Sequence, residues 1–279
     1  MSGLNRINAP LILAILSAII FKIDTGHAAS NIPWKKLPGQ ATDIGVGANG
    51  AAWIAGTDGA AWNWNGKTWV KIGGGSITRI ATDPKSGIWA IANGTQIWRF
   101  DGAKWRHLPG QATDIGIGAN GAVWIVGTDT APYRWNDKKW IRVGGGDLVR
   151  VAVDPNGNAW VVNKSNVIFR YTSQGFKQLP GRGTDVGVGA DGSVWIVGTD
   201  GAPYRWNGKN WQKHTGGIAQ IAVGPKGYPW AANDGKEIYV DSRSLKASST
   251  RPSGTSSGCN RPGDDRGSAR NQFSGNCRK

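Results

Sequence analysis

The sequence predicts an all-β chain arranged as a six-bladed β-propeller of four-stranded antiparallel blades, closed by an N-terminal strand near Trp34 that completes the last blade. Three observations lead there. The stretch Leu37–Trp69 (LPGQATDIGVGANGAAWIAGTDGAAWNWNGKTW) returns almost word for word at Leu108–Trp140 and Leu179–Trp211, with weaker copies between. The central Trp of each copy (Trp53, Trp89, Trp124, Trp160, Trp195, Trp230) recurs every 35 or 36 residues, a period that belongs to arrays of small supersecondary units. An aromatic stands sixteen residues after five of these Trp, but the sixth copy has Lys246 there, while Trp34 precedes the first copy with no copy of its own. One strand displaced to the other end of the sequence is what a closed ring requires.

Within the first copy, strands are expected at Thr42–Gly47, Ala51–Gly56, Ala61–Asn65 and Thr68–Ile72, here lettered A to D. The Asn-Gly pairs between A and B and between C and D favour tight hairpins. Four strands in about 35 residues make one small sheet, and such sheets set radially form a propeller. Nine residues before each central Trp lies Ile44, Ile80, Ile115, Val151, Val186 or Ile221; nine after it lies Trp62, Trp98, Tyr133, Phe169, Tyr204 or Tyr239. These are framework positions, where large flat side chains fill the space between facing sheets. Glycines in strand A suit a crowded axis. The D-to-A connections (PGQA, GGGS) and the B-to-C turns (GTDG) fall on one face, and the Asn-Gly hairpins fall on the other.

The flanks read differently. Residues 1–29 carry Arg6, an apolar run from Leu11 to Phe21 and the small residues GHAAS, the order of a secretory signal peptide. The run is shorter than the roughly 20 residues a spanning helix needs, so the mature chain is expected not to span a membrane and to be secreted or periplasmic. The array is assigned to 30–242. Residues 243–279 are Ser-, Gly- and Arg-rich with little to bury, a composition expected to stay disordered; Cys259 and Cys277, the two cysteines, lie there and could pair with each other or with another chain. The net charge of +15 favours anionic partners such as acidic glycans and membrane surfaces. Export and the lack of a recognition helix or finger pattern argue against nucleic acid.

The layout W-x-x-LPG-x-x-x-D-I/V-x-V/I-G-x-x-G-x-x-W of Trp34–Trp53 and Trp105–Trp124, and of Phe176–Trp195 with Phe in the first place, resembles the tectonin repeat family. The resemblance runs from Trp34 to about Asp241, strongest in the three LPG copies; IGGG, VGGG or HTGG replaces LPG in the others. It implies a six-bladed propeller, and the family includes lectins of innate defence that bind bacterial lipopolysaccharide and other glycans. Glycan binding at shallow repeated sites, without catalysis, is therefore expected. Other members are protein-interaction platforms, so an envelope scaffold with a protein partner and no sugar ligand is the alternative. The phrase WIVGTDGAPYRW also resembles lyase and sensor-associated propellers, but their repeats are longer.

Residue chemistry agrees with a binding protein. His107 and His214 are the histidines outside the presumed leader and sit in no catalytic motif; no HExxH occurs, no GxSxG occurs within the array, and no cofactor or metal is expected. DPNGN at Asp154–Asn158 starts like a calcium loop but lacks the later acidic ligand. The informative signal is alternation. Odd copies alone carry Thr57 and Asp58, Thr128 and Asp129, Thr199 and Asp200 in the B-to-C turn, beside Gln40, Gln111 and Arg182 in the D-to-A connection. Hydroxyl, carboxylate and amide groups of this kind hold sugar hydroxyls, although the Asp of a GTDG turn can equally satisfy its own backbone. Trp64, Trp135 and Trp206, near the end of strand C, are candidates for sugar stacking or for core packing. Cations on strands C and D are expected to band the rim.

A second alternation lies immediately before the strand A framework residue: Asp43, Arg79, Asp114, Arg150, Asp185, Gln220. Acid and base from neighbouring copies should pair near the axis. Such pairs specify blade order more than they add stability, because desolvation offsets much of the attraction.

Overall fold

The computed structural model describes residues 31–85 and 87–248; the presumed leader, most of the basic tail and both cysteines lie outside the described residues. The chain is all-β, with one short helix, in three seven-stranded antiparallel sheets. Repeat one supplies β1 (Trp34–Val46), β2 (Ala52–Gly56), β3 (Ala61–Trp64) and β4 (Trp69–Gly73); repeat two supplies β5 (Ile77–Thr82), β6 (Ile88–Ala92) and β7 (Gln96–Phe100). Then follow β8 (Trp105–Ile117), β9 (Val123–Gly127), β10 (Pro132–Trp135), β11 (Trp140–Arg142), β12 (Leu148–Val153), β13 (Ala159–Asn163) and β14 (Val167–Thr172). The last third holds β15 (Gly175–Val188), β16 (Val194–Gly198), β17 (Pro203–Trp206), β18 (Trp211–Lys213), β19 (Gln220–Val223), β20 (Pro229–Ala232), β21 (Glu237–Asp241) and α1 (Ser242–Ser248).

The D-to-A connections split into two kinds. In the LPG copies the expected loop is instead part of a continuous strand: β1, β8 and β15 each run through it, broken in register only by a bulge. Gly39, Gly110 and Gly181 take positive φ there, which lets the strand turn without ending. A D-strand Trp locks each bulge, the indole N–H of Trp69, Trp140 and Trp211 donating to the carbonyl oxygen of Pro38, Pro109 and Pro180 at 2.9, 2.8 and 2.8 Å. In the glycine-rich connections the strands part: Trp34 still bonds the Thr215 carbonyl oxygen at 3.0 Å, but the Trp105 indole N–H has no such partner and the fourth repeat has Phe176 in its place. Each long strand thus serves two neighbouring units: Trp34–Leu37 of β1 pairs with β21, and its far half pairs with β2.

The strand A segments pack side by side in the order β1, β5, β8, β12, β15, β19 and back to β1. Six apolar clusters lie between successive repeats, and each contains a central Trp no more than 6% exposed. Strand A glycines permit the close approach. A Cβ on Gly45, Gly116 or Gly187 would stand 2.8, 2.7 or 2.9 Å from the backbone oxygen of Ile80, Val151 or Ile221 in the next repeat. Two residues before each glycine an acid joins the neighbours: Asp43, Asp114 and Asp185 accept the backbone N–H of Ile80, Val151 and Ile221 at 2.8, 2.7 and 2.7 Å. Arg79 pairs with Asp114, and Arg150 with Asp185, each at 3.2 Å. The expected alternation is thus a network of acids and bases from adjacent repeats. Repeat six offers Gln220 in place of a third arginine.

The helix α1 carries order past the boundary read from composition. Ser244 accepts the Trp230 indole N–H at 2.9 Å, Arg243 pairs with the buried Asp241 and lies 4.7 Å over the Tyr228 ring, and Leu245 packs on the cluster between repeats six and one. Among the described residues, no helix is long and apolar enough to cross a membrane.

Two measurements follow from the axis. Gly116→Ala must push two backbones apart, and is expected to cost about 1–3 kcal/mol, lowering Tm by roughly 2–4 °C per kcal/mol; an unchanged Tm would show the strands to be less tightly apposed. The second is pH dependence. Burial raises the Asp43 carboxyl to about 6 despite Arg79, and raises Asp185 to about 7 despite Arg150. These groups bind protons more tightly folded than unfolded, so their stabilisation is full below pH about 4 and is lost as pH rises through 6 to 7. Asp43→Asn keeps the acceptor for Ile80 and should raise Tm at pH 8 while flattening its fall between about pH 4 and 7, whereas Asp114→Asn should lower it by releasing Arg79.

Candidate functional site

In repeat one the bulge and the B-to-C turn meet over a cavity of about 270 Å³ lined by Gln40, Thr57, Asp58, Trp62 and Trp69. The three polar site residues expected from that copy are therefore together, without Trp64. The turn is built by its own aspartate: Asp58 Oδ1 accepts the Ala60 backbone N–H at 3.1 Å and the Trp62 indole N–H at 3.0 Å. Lys71 Nζ donates to the other oxygen at 2.9 Å. These bonds, Lys71 first, hold the carboxyl down to about 2, so it is ionised under any physiological condition.

The other odd copies repeat the arrangement with a tyrosine. Tyr133 and Tyr204 donate their hydroxyls to Asp129 and Asp200 at 2.8 Å, and the Ala131 and Ala202 N–H groups cap the turns at 3.2 and 3.1 Å. Arg142 lies 3.5 Å from Asp129 and Lys213 2.7 Å from Asp200. The Tyr133 bond is the main reason the Asp129 carboxyl is lowered; at Asp200 burial works upward, but the Lys213 and Tyr204 bonds prevail and lower it. Thr128 and Thr199 are exposed beside these acids, as Thr57 is. The aspartates thus secure their own turns and also present an ionised carboxylate paired with a cation.

The bulge residues diverge in what they touch. Gln40 donates to Gly235 O at 3.1 Å and Arg182 to Ser165 O at 2.6 Å, each reaching the B-to-C turn of the preceding even repeat; Gln111 is exposed, its backbone paired with Gln96. Trp64, Trp135 and Trp206 lie elsewhere, tilted against the D-strand Trp69, Trp140 and Trp211 at 5.1, 4.9 and 4.9 Å, and packed on the inter-repeat clusters. Their placement is that of core filling, and Trp135 in addition leaves part of its indole on a cleft of the opposite face.

Residue reasoning missed the cation partner and the aromatic wall. Lys71, Arg142 and Lys213 stand thirteen residues after the turn acids; the even copies have His107 and Gln178 at that place and, on the β1 segment paired with β21, Lys36, which pairs with Glu237 instead of a turn aspartate. A cation in every copy that has the turn acid is the signal that could have found them. The same pairing changes the expected basic rim, since Arg99, Arg106 and Arg170 also meet carboxylates of Asp83, Asp101 and Asp154. In repeat two the equivalent position is an apolar hollow of about 270 Å³ between Gly74, Asn93, Trp98 and Trp105.

A family model described as the Tectonin domain matches residues 77–163 and 155–256. The chain belongs to the tectonin family. Tectonin-1 of Physarum polycephalum is 33% identical over 67 residues, which cover 24% of this chain and 30% of that protein. Among solved structures, a gluconolactonase from Xanthomonas campestris is similar at TM-score 0.61 and 14% identity, covering 74% of this chain and 88% of the other. A streptogramin B lyase follows at TM-score 0.54 and 13% identity, over 75% and 97%. YCF48 bound to a D1 peptide is similar at TM-score 0.51 and 16% identity, over 72% and 77%. At such identities these structures show a propeller-like fold alone.

The tectonin turn separates two roles that substitution can test. Trp69→Ala removes the bulge lock and empties part of an inter-repeat space, with an expected cost of about 3–5 kcal/mol. Asp58→Ala breaks only an exposed pair and turn, and should cost less than about 1 kcal/mol; chemical denaturation of both variants checks the contrast.

Proposed function

We propose that this chain is an exported, non-enzymatic, six-bladed tectonin propeller that binds cell-surface glycans or lipopolysaccharide at several equivalent sites, in the periplasm or outside the cell. Closure into six blades is supported by the pairing of Trp34–Leu37 with β21 and by the circular packing of the strand A segments. The observation that carries the binding reading is the cavity of repeat one, where Gln40, Thr57 and Asp58 converge beside Trp62 and Trp69. A carboxylate has about four acceptor positions; Asp58 uses three. The remaining acceptor, the Lys71 ammonium and the Thr57 hydroxyl can together hold adjacent sugar hydroxyls, with indole for the apolar face of the ring. Two further copies give avidity on a dense glycan surface. No cofactor, metal or nucleic acid enters this reading.

An envelope scaffold is the second reading. Val70 and Ile141 are exposed at 42% and 40% on the outer strands β4 and β11, at the same position of their repeats, where a partner's strand could pair. Glycan and lipopolysaccharide arrays on the folded protein decide between them. Binding is expected, with single Asp58→Ala, Asp129→Ala or Asp200→Ala changes lowering surface affinity about two- to fivefold and the triple variant more than about tenfold, as loss of multivalency predicts. Silence on every glycan and lipopolysaccharide, together with a stoichiometric protein partner that survives free sugars, would replace the lectin by the scaffold.

A further inference from the structure

The face opposite the GTDG turns carries a larger cavity. A cleft of about 520 Å³ opens between repeats two and three, with Lys85, Arg99 and Arg134 on its walls beside Trp89 and Trp135. Arg99 is oriented in advance: its guanidinium lies 5.5 Å over the Trp89 ring, and Nη2 is 3.4 Å from Asp83. Asp83 is itself fixed by the backbone N–H groups of Lys85 and Gly87 at 2.8 and 2.9 Å. Trp89 and Trp135 meet edge to face at 6.1 Å, a rigid aromatic side to the same space.

Comparison with the equivalent clefts shows what is peculiar to this one. Between repeats four and five, Arg170 pairs with Asp154 at 2.9 Å, and Arg205 donates to Ser193 Oγ at 2.9 Å, which in turn donates to Asp191. There the counterpart of Lys85 is Asn156. Between repeats six and one the two arginines are replaced by Val240 and Asn63. In the cleft between repeats two and three, Ala122 stands where Ser193 does and Asn120 where Asp191 does, so the acceptor and the carboxylate that engage the fifth repeat's arginine are both gone. Lys85 adds a cation from the facing turn, where repeat four has Asn156 and repeat six Lys226; only here does it face an arginine whose neighbouring acceptors are gone. The carboxylates facing the cleft are Asp83, already paired with Arg99, and Asp137 at its rim.

We propose that this cleft binds a sugar bearing an anionic substituent, carboxylate or phosphate, with Arg134 and Lys85 holding the anion, the oriented Arg99 beside them and the ring against Trp135. A guanidinium presents parallel N–H groups to both kinds of anion, and a half-buried indole suits the apolar face of a pyranose. The anion follows from this cleft alone; the sugar rests on the lectin reading, although the residues are distinct from those of the GTDG face.

Calorimetric titration of the full chain with glucuronate, glucose 6-phosphate, glucose and inorganic phosphate tests it. One or both acidic sugars should bind, which of the two identifying the anion, with affinity falling several-fold on adding salt; glucose should not bind measurably. Arg134→Ala and Lys85→Gln, both on exposed side chains, should each weaken acidic-sugar binding at least about fivefold, while Arg205→Ala in the equivalent cleft leaves it unchanged. The triple Asp58, Asp129 and Asp200 alanine variant should retain it. Equal affinity for glucose, inorganic phosphate binding as tightly as the phosphosugar, or indifference to both Arg134→Ala and Lys85→Gln would overturn the proposal. Loss of binding in the triple aspartate variant alone would overturn it while leaving the lectin reading in place.

Discussion

Everything in this molecule is arranged around the contact between one strand A backbone and the next. A hydrogen in place of Cβ at Gly45, Gly116 and Gly187 lets the strands approach, and a carboxylate one turn of the pleat away takes up the backbone N–H that would otherwise be buried unpaired. An unsatisfied buried N–H costs about 1–3 kcal/mol, so the acid is needed wherever the strands are too close for water. Burying the acid has its own cost, which Arg79 and Arg150 offset by pairing with the acid of the following repeat. Glycine, acid and base are thus one device spread over neighbouring copies, and the odd and even repeats differ because each supplies a different part of it.

The alternation at the axis also organises the surface. Odd repeats have a bulged continuous strand pinned by a D-strand Trp, and the bulge brings Gln40 next to the turn that carries Asp58. Even repeats are entered through a break between D and A at glycines, and repeat two has an apolar hollow in the corresponding place. Because every long strand belongs to two units, Gln40, Gln111 and Arg182 sit on extensively paired backbone, whereas the Thr-Asp pairs sit in the neighbouring B-to-C turns; a recognition site would gain from being held that way.

Much of this could be read from residues alone, because the period, the framework aromatics and the Asp–Arg alternation are local words repeated at fixed distance. Trp34 and the missing aromatic of the sixth copy pointed to the pairing of the chain ends for the same reason. What escaped were relations between words. The LPG segment looks like a loop because Pro and Gly usually end strands; it continues as a strand with its Pro carbonyl held by the Trp thirty-one residues on, a pairing between distant residues that the segment itself does not display. The helix at Ser242–Ser248 was hidden by a polar composition in which Ser244 and Leu245 happen to meet Trp230 and the last cluster.

The turn aspartates have a structural role that must be separated from the proposed binding role. Asp58, Asp129 and Asp200 each cap their own turn, so their presence in every odd repeat would be expected even of a protein with no ligand. That explanation does not reach the cation thirteen residues later. A turn needs only the backbone bond to the second residue on, whereas Lys71, Arg142 and Lys213 add charge that stability hardly requires, since exposed pairs contribute about 0–1 kcal/mol. Three copies of an exposed acid–base pair next to an indole or phenol ring, at one position of the repeat and on one face, are what a surface offers to a polyhydroxylated ligand. The turn accounts for the aspartate's place in the motif, and the proposed binding draws on the cation and ring beside it.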